Sequence, residues 1–356
     1  MDRLHLKLEK IGRNPLITAK AVGLRYCINC DKGYFRHRSN NNFHYIDENE
    51  NHINDKEIIQ RISKLVLPPA WEKVWISPHE NGHLQATGID SKGRKQYRYH
   101  QYWNKIRNQS KFHRLLSFAK VLPAIRKEIE KDLNKKDLSH DKVVALVIKL
   151  IETTNIRIGN DVYKKLYGSF GLTTLQDKHV KFKDSSVQFE FVGKKGVKHK
   201  INIQSKKLAT LVKKCKDIPG QDLFQYYDAT GNRHTVGSSD INNYLKKITN
   251  QDFTAKDFRA WSGSLKALSA FMEFNAPETQ TETKQKIIEV VDQVASKLGN
   301  TRSVCKKYYI HPTVIASYEK GKIWKYKSNK KTNYFLPQEF SLLKMLEKET
   351  ISEVLG

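Results

Sequence analysis

Over residues 1–105, apolar and polar positions alternate in short runs, and Gly, Asn, Pro or Lys-Gly steps separate them. A period of two is the mark of strands that bury one face, so strands are predicted over 24–29, 34–38, 43–47, 73–77, 83–90 and 95–100. One helix interrupts them. Asn54 and Glu57 have capping-box spacing, Ile58, Ile59, Ile62 and Leu65 fall on one face, and Pro68-Pro69 stops it.

From about Asn108 the period becomes mostly helical, beginning with a polar, basic crossing through Arg107, Lys111 and Arg114. Val143, Val144, Val147, Ile148 and Ile151 make one apolar face, and Trp261, Leu265, Leu268 and Met272 a second. Ile287, Val291, Val294 and Leu298 make a third, which Gly299 closes as a helix stop. Residues 180–203 break the pattern. Alternation on both sides of Gly193-Lys-Lys-Gly196 predicts a β-hairpin with an exposed basic tip. The lysine-rich stretch 320–331 reads as a solvated loop before a last short helix starting near Pro337. The expected fold class is therefore α+β: a small β-rich N-terminal domain, 1–105, and a larger, mainly α-helical domain, 106–356, carrying a hairpin.

Charge is the strongest feature of the chain as a whole. The chain has 64 Lys and Arg against 37 Asp and Glu, a formal net charge of +27. Such self-repulsion is best tolerated when the partner is a polyanion, which puts nucleic acid first. A membrane is not expected as a partner, because no long apolar run and no isolated cationic amphipathic stretch is present. Met1 to Lys7 lacks the apolar core of a secretory signal, so a cytoplasmic, nucleoid-associated location is expected. Four scattered cysteines make no disulfide framework, which agrees with a reducing compartment. Cys27 and Cys30 have the spacing of half a zinc site, but no second pair completes four ligands, so no metal is expected.

A polyanion partner raises the question of chemistry on its backbone. Cutting a phosphodiester without metal needs a nucleophile, cations fixed around the phosphoryl oxygens and an acid for the departing 5′ oxygen. Arginine suits the clamp because its planar guanidinium stays charged, and lysine can give up a proton when neighbouring positive charge loosens its hold. A tyrosine hydroxyl ionises at about pH 10 in water, so a ring of cations around it favours developing phenolate. Composition and spacing alone do not select these groups from so many cations and 16 tyrosines.

Five motifs in order do select them: Asp90-Ser-Lys-Gly-Arg-Lys-Gln-Tyr-Arg-Tyr99, Asn155-Ile-Arg-Ile-Gly-Asn160, Phe191-Val-Gly-Lys194, Lys256-Asp-Phe-Arg-Ala-Trp261, and Leu298-Gly-Asn-Thr301 followed by Lys307-Tyr-Tyr-Ile-His-Pro312. Through them, nearly the whole chain resembles the type IB DNA topoisomerases of the compact bacterial and poxvirus kind, whose catalytic core is shared with eukaryotic topoisomerase I and with the tyrosine recombinases. The resemblance implies Tyr309 as nucleophile, Arg157 and Arg259 as phosphate-clamping arginines and Lys194 as general acid. Lys195 is the alternative to Lys194.

Asn300, nine residues before Tyr309, stands where the poxvirus enzymes have histidine. Asparagine can donate a hydrogen bond but cannot shuttle a proton, so its implied role is transition-state binding, as in the bacterial branch. Gln96, Tyr97, Tyr99, Tyr163 and Lys256 are implied DNA contacts. The family also implies a monomer that closes as a C-shaped clamp on duplex DNA, without ATP, metal or small-molecule cofactor. Two rivals remain at this stage. A tyrosine recombinase or integrase shares the chemistry but usually has histidine where this chain has Lys256. A non-catalytic DNA-binding protein would keep the charge without the site.

Overall fold

The computed structural model describes residues 14–28, 32–39 and 42–348, without the side chains of 108–113. Met1 to Lys7 and Cys30 lie outside these residues. The chain divides into two compact units, Met1–Arg114 and Leu115–Gly356.

In the first unit, α1 (Pro15–Ala21) starts at Asn14, whose side-chain oxygen accepts from the backbone N–H groups of Leu16 and Ile17. There follow β1 (Tyr34–Ser39), β2 (Asn42–Ile46), α2 (Lys56–Lys64), β3 (Glu72–Ile76), β4 (Leu84–Ile89) and β5 (Lys95–Tyr99). The five strands form one antiparallel sheet in the order β2-β1-β3-β4-β5. Val74, Ile76 and Ala86 give it a buried face, on which α2 lays Ile58, Ile62 and Leu65.

Three expectations need correction here. Of the segment 24–29, the described residues 24–28 contribute only an isolated bridge from Arg25 to Gly82, because the chain there packs as a connector against His83 rather than pairing along its length. The cap of α2 is Asp55, not Asn54; its carboxylate accepts from Glu57 and Ile58 N–H. Ile59 points away from the sheet and is exposed, since its neighbours Ile58 and Ile62 already cover the buried face.

Helix α3 (Gln101–Leu133) leads into the second unit, so the division between units falls inside a helix, after Arg114, where the sequence suggested a boundary at 105/106. The rest is α4 (His140–Thr154), α5 (Asp161–Tyr167), β6 (Val180–Lys183), β7 (Ser186–Val192), β8 (Lys198–Gln204), α6 (Lys206–Lys216), β9 (Gln225–Tyr227), β10 (Arg233–Thr235), α7 (Ser238–Thr249), α8 (Ala255–Glu273), α9 (Gln280–Leu298), α10 (Arg302–Tyr308), α11 (Pro312–Glu319) and α12 (Pro337–Lys348). Helix α4 is buried on every side from Lys142 to Ile148, which makes it the central rod of the core, with α6, α7 and α8 packed around it.

The predicted hairpin is the β7–β8 part of a three-stranded antiparallel sheet, β6-β7-β8. The short turn before Ser186 admits the extra strand. The stretch 320–331 is no simple solvated loop: a 3-10 turn at Ile323–Tyr326 drives Ile323 and Tyr326 into the core between lysines that stay outside. Among the described residues, no helix is long and apolar enough to cross a membrane.

Candidate active site

Four of the implied residues meet where the ends of α4, α9 and α10 converge on α8. Helix α4 stops at Asn155, which takes a left-handed conformation (φ 59°), and Arg157 follows in a non-helical loop that Asn160 ends by capping α5. That loop is pinned from behind. Arg157 and Ile158 carbonyls accept the N–H groups of Leu172 and Thr173 at 2.8 and 2.6 Å. Gly171 approaches so closely that a side-chain carbon on it would lie 2.5 Å from Gly159 Cα. Arg157 is thus presented from a fixed loop rather than from a mobile one.

Arg259, in the second turn of α8, is 4% exposed. Its Nη1 donates to the Asn155 carbonyl and its Nη2 to the Leu298 carbonyl at 2.8 Å, so one guanidinium ties the end of α4 to the end of α9. Cations at helix C-termini complement the dipole and satisfy carbonyls left without helical partners. The same guanidinium lies 5.1 Å from the centre of the Tyr309 ring.

Asn300 follows Gly299, the left-handed cap of α9. Arg157 Nη2 donates to Asn300 Oδ1 at 2.5 Å and to the Gly299 carbonyl at 2.9 Å. This hydrogen bond orients the amide so that Nδ2 is free to donate elsewhere. Among the described residues, Asn300 Nδ2 and Arg259 Nε are buried polar atoms with no hydrogen-bond partner. Buried donors left unpaired are costly, and they cluster where a ligand completes them. Burial, and then the neighbouring Arg259, hold the Arg157 guanidinium below the usual arginine range, with Tyr309 acting the other way. The charge is retained but crowded, an arrangement that favours an anion between the two arginines.

Tyr309 is the residue that caps α10, not one within it. Its backbone is held by α8: Ser264 Oγ donates to the Tyr309 carbonyl at 3.3 Å and accepts from His311 N–H at 2.9 Å. Gly263 lets this happen, because a side-chain carbon there would come within 2.5 Å of the Tyr309 carbonyl oxygen. Tyr309 packs against the main core, whereas Tyr308 is exposed with Lys307 Nζ 5.4 Å from its ring centre. Cys305, one turn earlier, is buried, and burial pushes its thiol up to about 11, which removes it as a competing nucleophile.

Lys194 stands exposed at the β7–β8 tip, outside this hydrogen-bonded cluster. The remaining implied contacts lie on other elements. Tyr163 is exposed on α5 beside Tyr167, and Lys256 is exposed in the first turn of α8. In the first unit, Tyr97 is exposed on β5 with its ring parallel to that of the half-buried Tyr99, 5.9 Å between centres. Gln96 Nε2 donates to Asp90 at 2.8 Å. Hydrogen bonds led by Arg94 pull the Asp90 carboxyl down to about 2, so it stays ionised and keeps Gln96 in place. Among the described residues, no group of His, Cys, Asp or Glu is arranged to hold a metal ion.

Sequence reasoning missed Gly263, Ser264 and His199. A glycine inside an otherwise good helix costs about 1 kcal/mol relative to alanine, and that cost was the available signal for a close approach at Gly263. His199 was readable only from the hairpin register, which places it opposite Phe191.

Two arginines, an asparagine and a tyrosine thus share one buried cluster with donors left over, and comparison with known proteins gives the family that carries it. Residues 98–334 match the eukaryotic DNA topoisomerase I catalytic core, and residues 42–90 the N-terminal domain of bacterial DNA topoisomerase IB. DNA topoisomerase 1B of Acanthamoeba polyphaga mimivirus is 32% identical over 297 residues, 81% of this chain and 88% of the relative. DNA topoisomerase 1B of Vaccinia virus (strain Western Reserve) is 24% identical over 230 residues, 64% of this chain and 70% of the relative. DNA topoisomerase 1 of Rabbit fibroma virus (strain Kasza) is 27% identical over 236 residues, with the same shares. The chain belongs to the type IB DNA topoisomerases.

Proposed function

We propose that Tyr309 cuts one strand of duplex DNA and that the nick is resealed after the strands have rotated. Tyr309 loses its phenolic proton to solvent as Oη attacks the phosphorus, the bond to the 5′ oxygen breaks, and a 3′-phosphotyrosyl bond takes its place. Arg157, Arg259 and Asn300 Nδ2 hold the non-bridging oxygens as negative charge grows on them. Lys194, at the hairpin tip, gives its proton to the departing 5′ oxygen, and Lys195 is next in line. Religation is the reverse: the 5′ hydroxyl returns the proton and displaces tyrosine. One phosphodiester is exchanged for another, so the cycle needs no energy source, and torsional stress in the DNA drives rotation in either sense. Gln96, Tyr97, Tyr99, Tyr163 and Lys256 contact the duplex outside the cleavage site, and the enzyme acts as a monomer.

The observation that carries this reading is the Arg157–Asn300 hydrogen bond beside the Arg259–Tyr309 contact, with two buried donors left over at the same place. Its test is relaxation of positively and negatively supercoiled plasmid in EDTA without ATP. Both should relax, and a strict need for ATP or metal would overturn the reading. Duplex binding should weaken with salt by roughly −0.9 in log K per log salt for each neutralised phosphate.

Lys194→Ala should slow cleavage by about 10²–10⁴-fold, the usual worth of general acid catalysis, with non-covalent binding retained. A 5′-bridging phosphorothiolate has a leaving group that needs little protonation, so it should recover most of the loss. If it does not, the acid lies elsewhere, with Lys195 tested next.

A further inference from the structure

His199 lies on β8 directly across from Phe191 on β7, and the two rings stack with 4.9 Å between centres. The ring fills the space between two glycines that are far apart in sequence. A side-chain carbon on Gly193 would lie 2.7 Å from His199 Cδ2 and Nε2, and one on Gly299 would lie 2.8 Å from His199 Cε1. Gly193 immediately precedes Lys194, and Gly299 immediately precedes Asn300.

The backbone of Gly193 (φ −95°, ψ −165°) is one that residues with side chains also adopt. Glycine is therefore required there by the ring and not by the turn. The hairpin tip is in turn tied to Gly193, whose N–H donates to Val197 and whose carbonyl accepts from Gly196. On the other side, the Gly299 carbonyl accepts from Arg157 Nη2. One flat ring thus sets the distance between the root of the Lys194 hairpin and the loop that carries Asn300.

Resting on the reading above, we propose that His199 is a positioning residue that holds the Lys194 hairpin in register with the phosphate-binding loop. Burial, and then Arg157 and Arg259, keep the imidazole below the usual histidine range. At neutral pH it packs as an uncharged ring that does not repel the two arginines.

Single-turnover cleavage of a suicide duplex tests this. His199→Ala should cleave an ordinary phosphodiester about 10–100-fold more slowly, the scale of loss that misplacing a catalytic group by roughly 1 Å produces. Its non-covalent affinity for the duplex should be unchanged, and the 5′-bridging phosphorothiolate should recover most of the rate. His199→Phe keeps a flat ring without titration and should retain most of the activity. Three results overturn the proposal. These are wild-type cleavage by His199→Ala, a loss the phosphorothiolate does not recover, and His199→Phe as slow as His199→Ala. If His199→Ala melts early and binds poorly, His199→Phe alone decides, by retention or loss of rate. Failure of the wild-type enzyme to cleave at all would instead strike the reading of Tyr309.

Discussion

A Tyr309→Phe enzyme should bind duplex DNA as the wild type does and yet form no covalent adduct, while Tyr308→Phe should keep substantial activity. Both rings belong to the same cationic segment after Lys306-Lys307, so charge does not distinguish them. Geometry does. Tyr309 leaves the helix at its cap, packs on the core and lies beside Arg259, which in turn is locked to the ends of α4 and α9. Tyr308 is exposed at the last position of α10. Removing the Tyr309 hydroxyl deletes the attacking atom and leaves the arginines and Asn300 in place, so affinity persists while chemistry stops. Trapping the complex on labelled DNA and sequencing the attached peptide gives the answer. An adduct on Tyr308 would show that the register of the last motif is wrong, and the role of Asn300 would fall with it.

The strands were legible from short β-prone runs between turn residues, although β3 and β4 bury residues on both faces and exposure alternates only at the start of β1 and of β5. This holds for β1 to β5, each within two residues of expectation. Helix α9 was legible because its buried residues recur at helical spacing and Gly299 takes the left-handed cap. Where local pattern failed, tertiary packing had overridden it. Residues 24–28 have strand-like composition, but their β-pairing among the described residues is the single Arg25–Gly82 bridge, and the Cys27 N–H turns to the His83 ring instead. Ile323 and Tyr326 are buried among lysines whose long stems carry the charge outward, which composition reads as a solvated loop.

The site divides in the same way. Arg157, Arg259, Asn300 and Tyr309 could be named only because ordered motifs resemble a family, since their meeting depends on contacts across 39 to 143 residues of chain. Gly263 and His199 act by leaving or filling space and Ser264 by hydrogen bonds to Tyr309 and His311, and of the three only the mid-helix glycine leaves a trace in the linear pattern.

Glu339→Gln should be among the most destabilising single changes in the catalytic unit. Arg126 on α3 donates to both carboxylate oxygens of Glu339 on α12, at 2.8 and 2.7 Å, and its Nε donates to Glu152 on α4 at 2.6 Å. Trp261 of α8 adds a fourth helix by donating to Glu339 at 3.0 Å. The Glu339 side chain is 1% exposed. Burial alone would push its carboxyl up, but hydrogen bonds and charge from Arg126 outweigh this and hold it below the usual range.

Breaking a buried pair from one side costs roughly 3–5 kcal/mol, because the other charge is left buried. Glu152 still faces Arg126, so the lower end, about 3 kcal/mol, applies here. For a unit of this size that corresponds to a fall in Tm of roughly 6–12 °C. The sign with pH follows from the depressed carboxyl. Its contribution is complete above the ordinary glutamate pKa of about 4.3 and is lost as pH falls through the lower folded value. Thermal melts of wild type and Glu339→Gln should therefore be far apart at pH 7 and converge in acid, where wild-type Glu339 is itself protonated. A gap that stays constant down to pH 3, or no gap at pH 7, would mean that the four helices are held together by apolar packing alone.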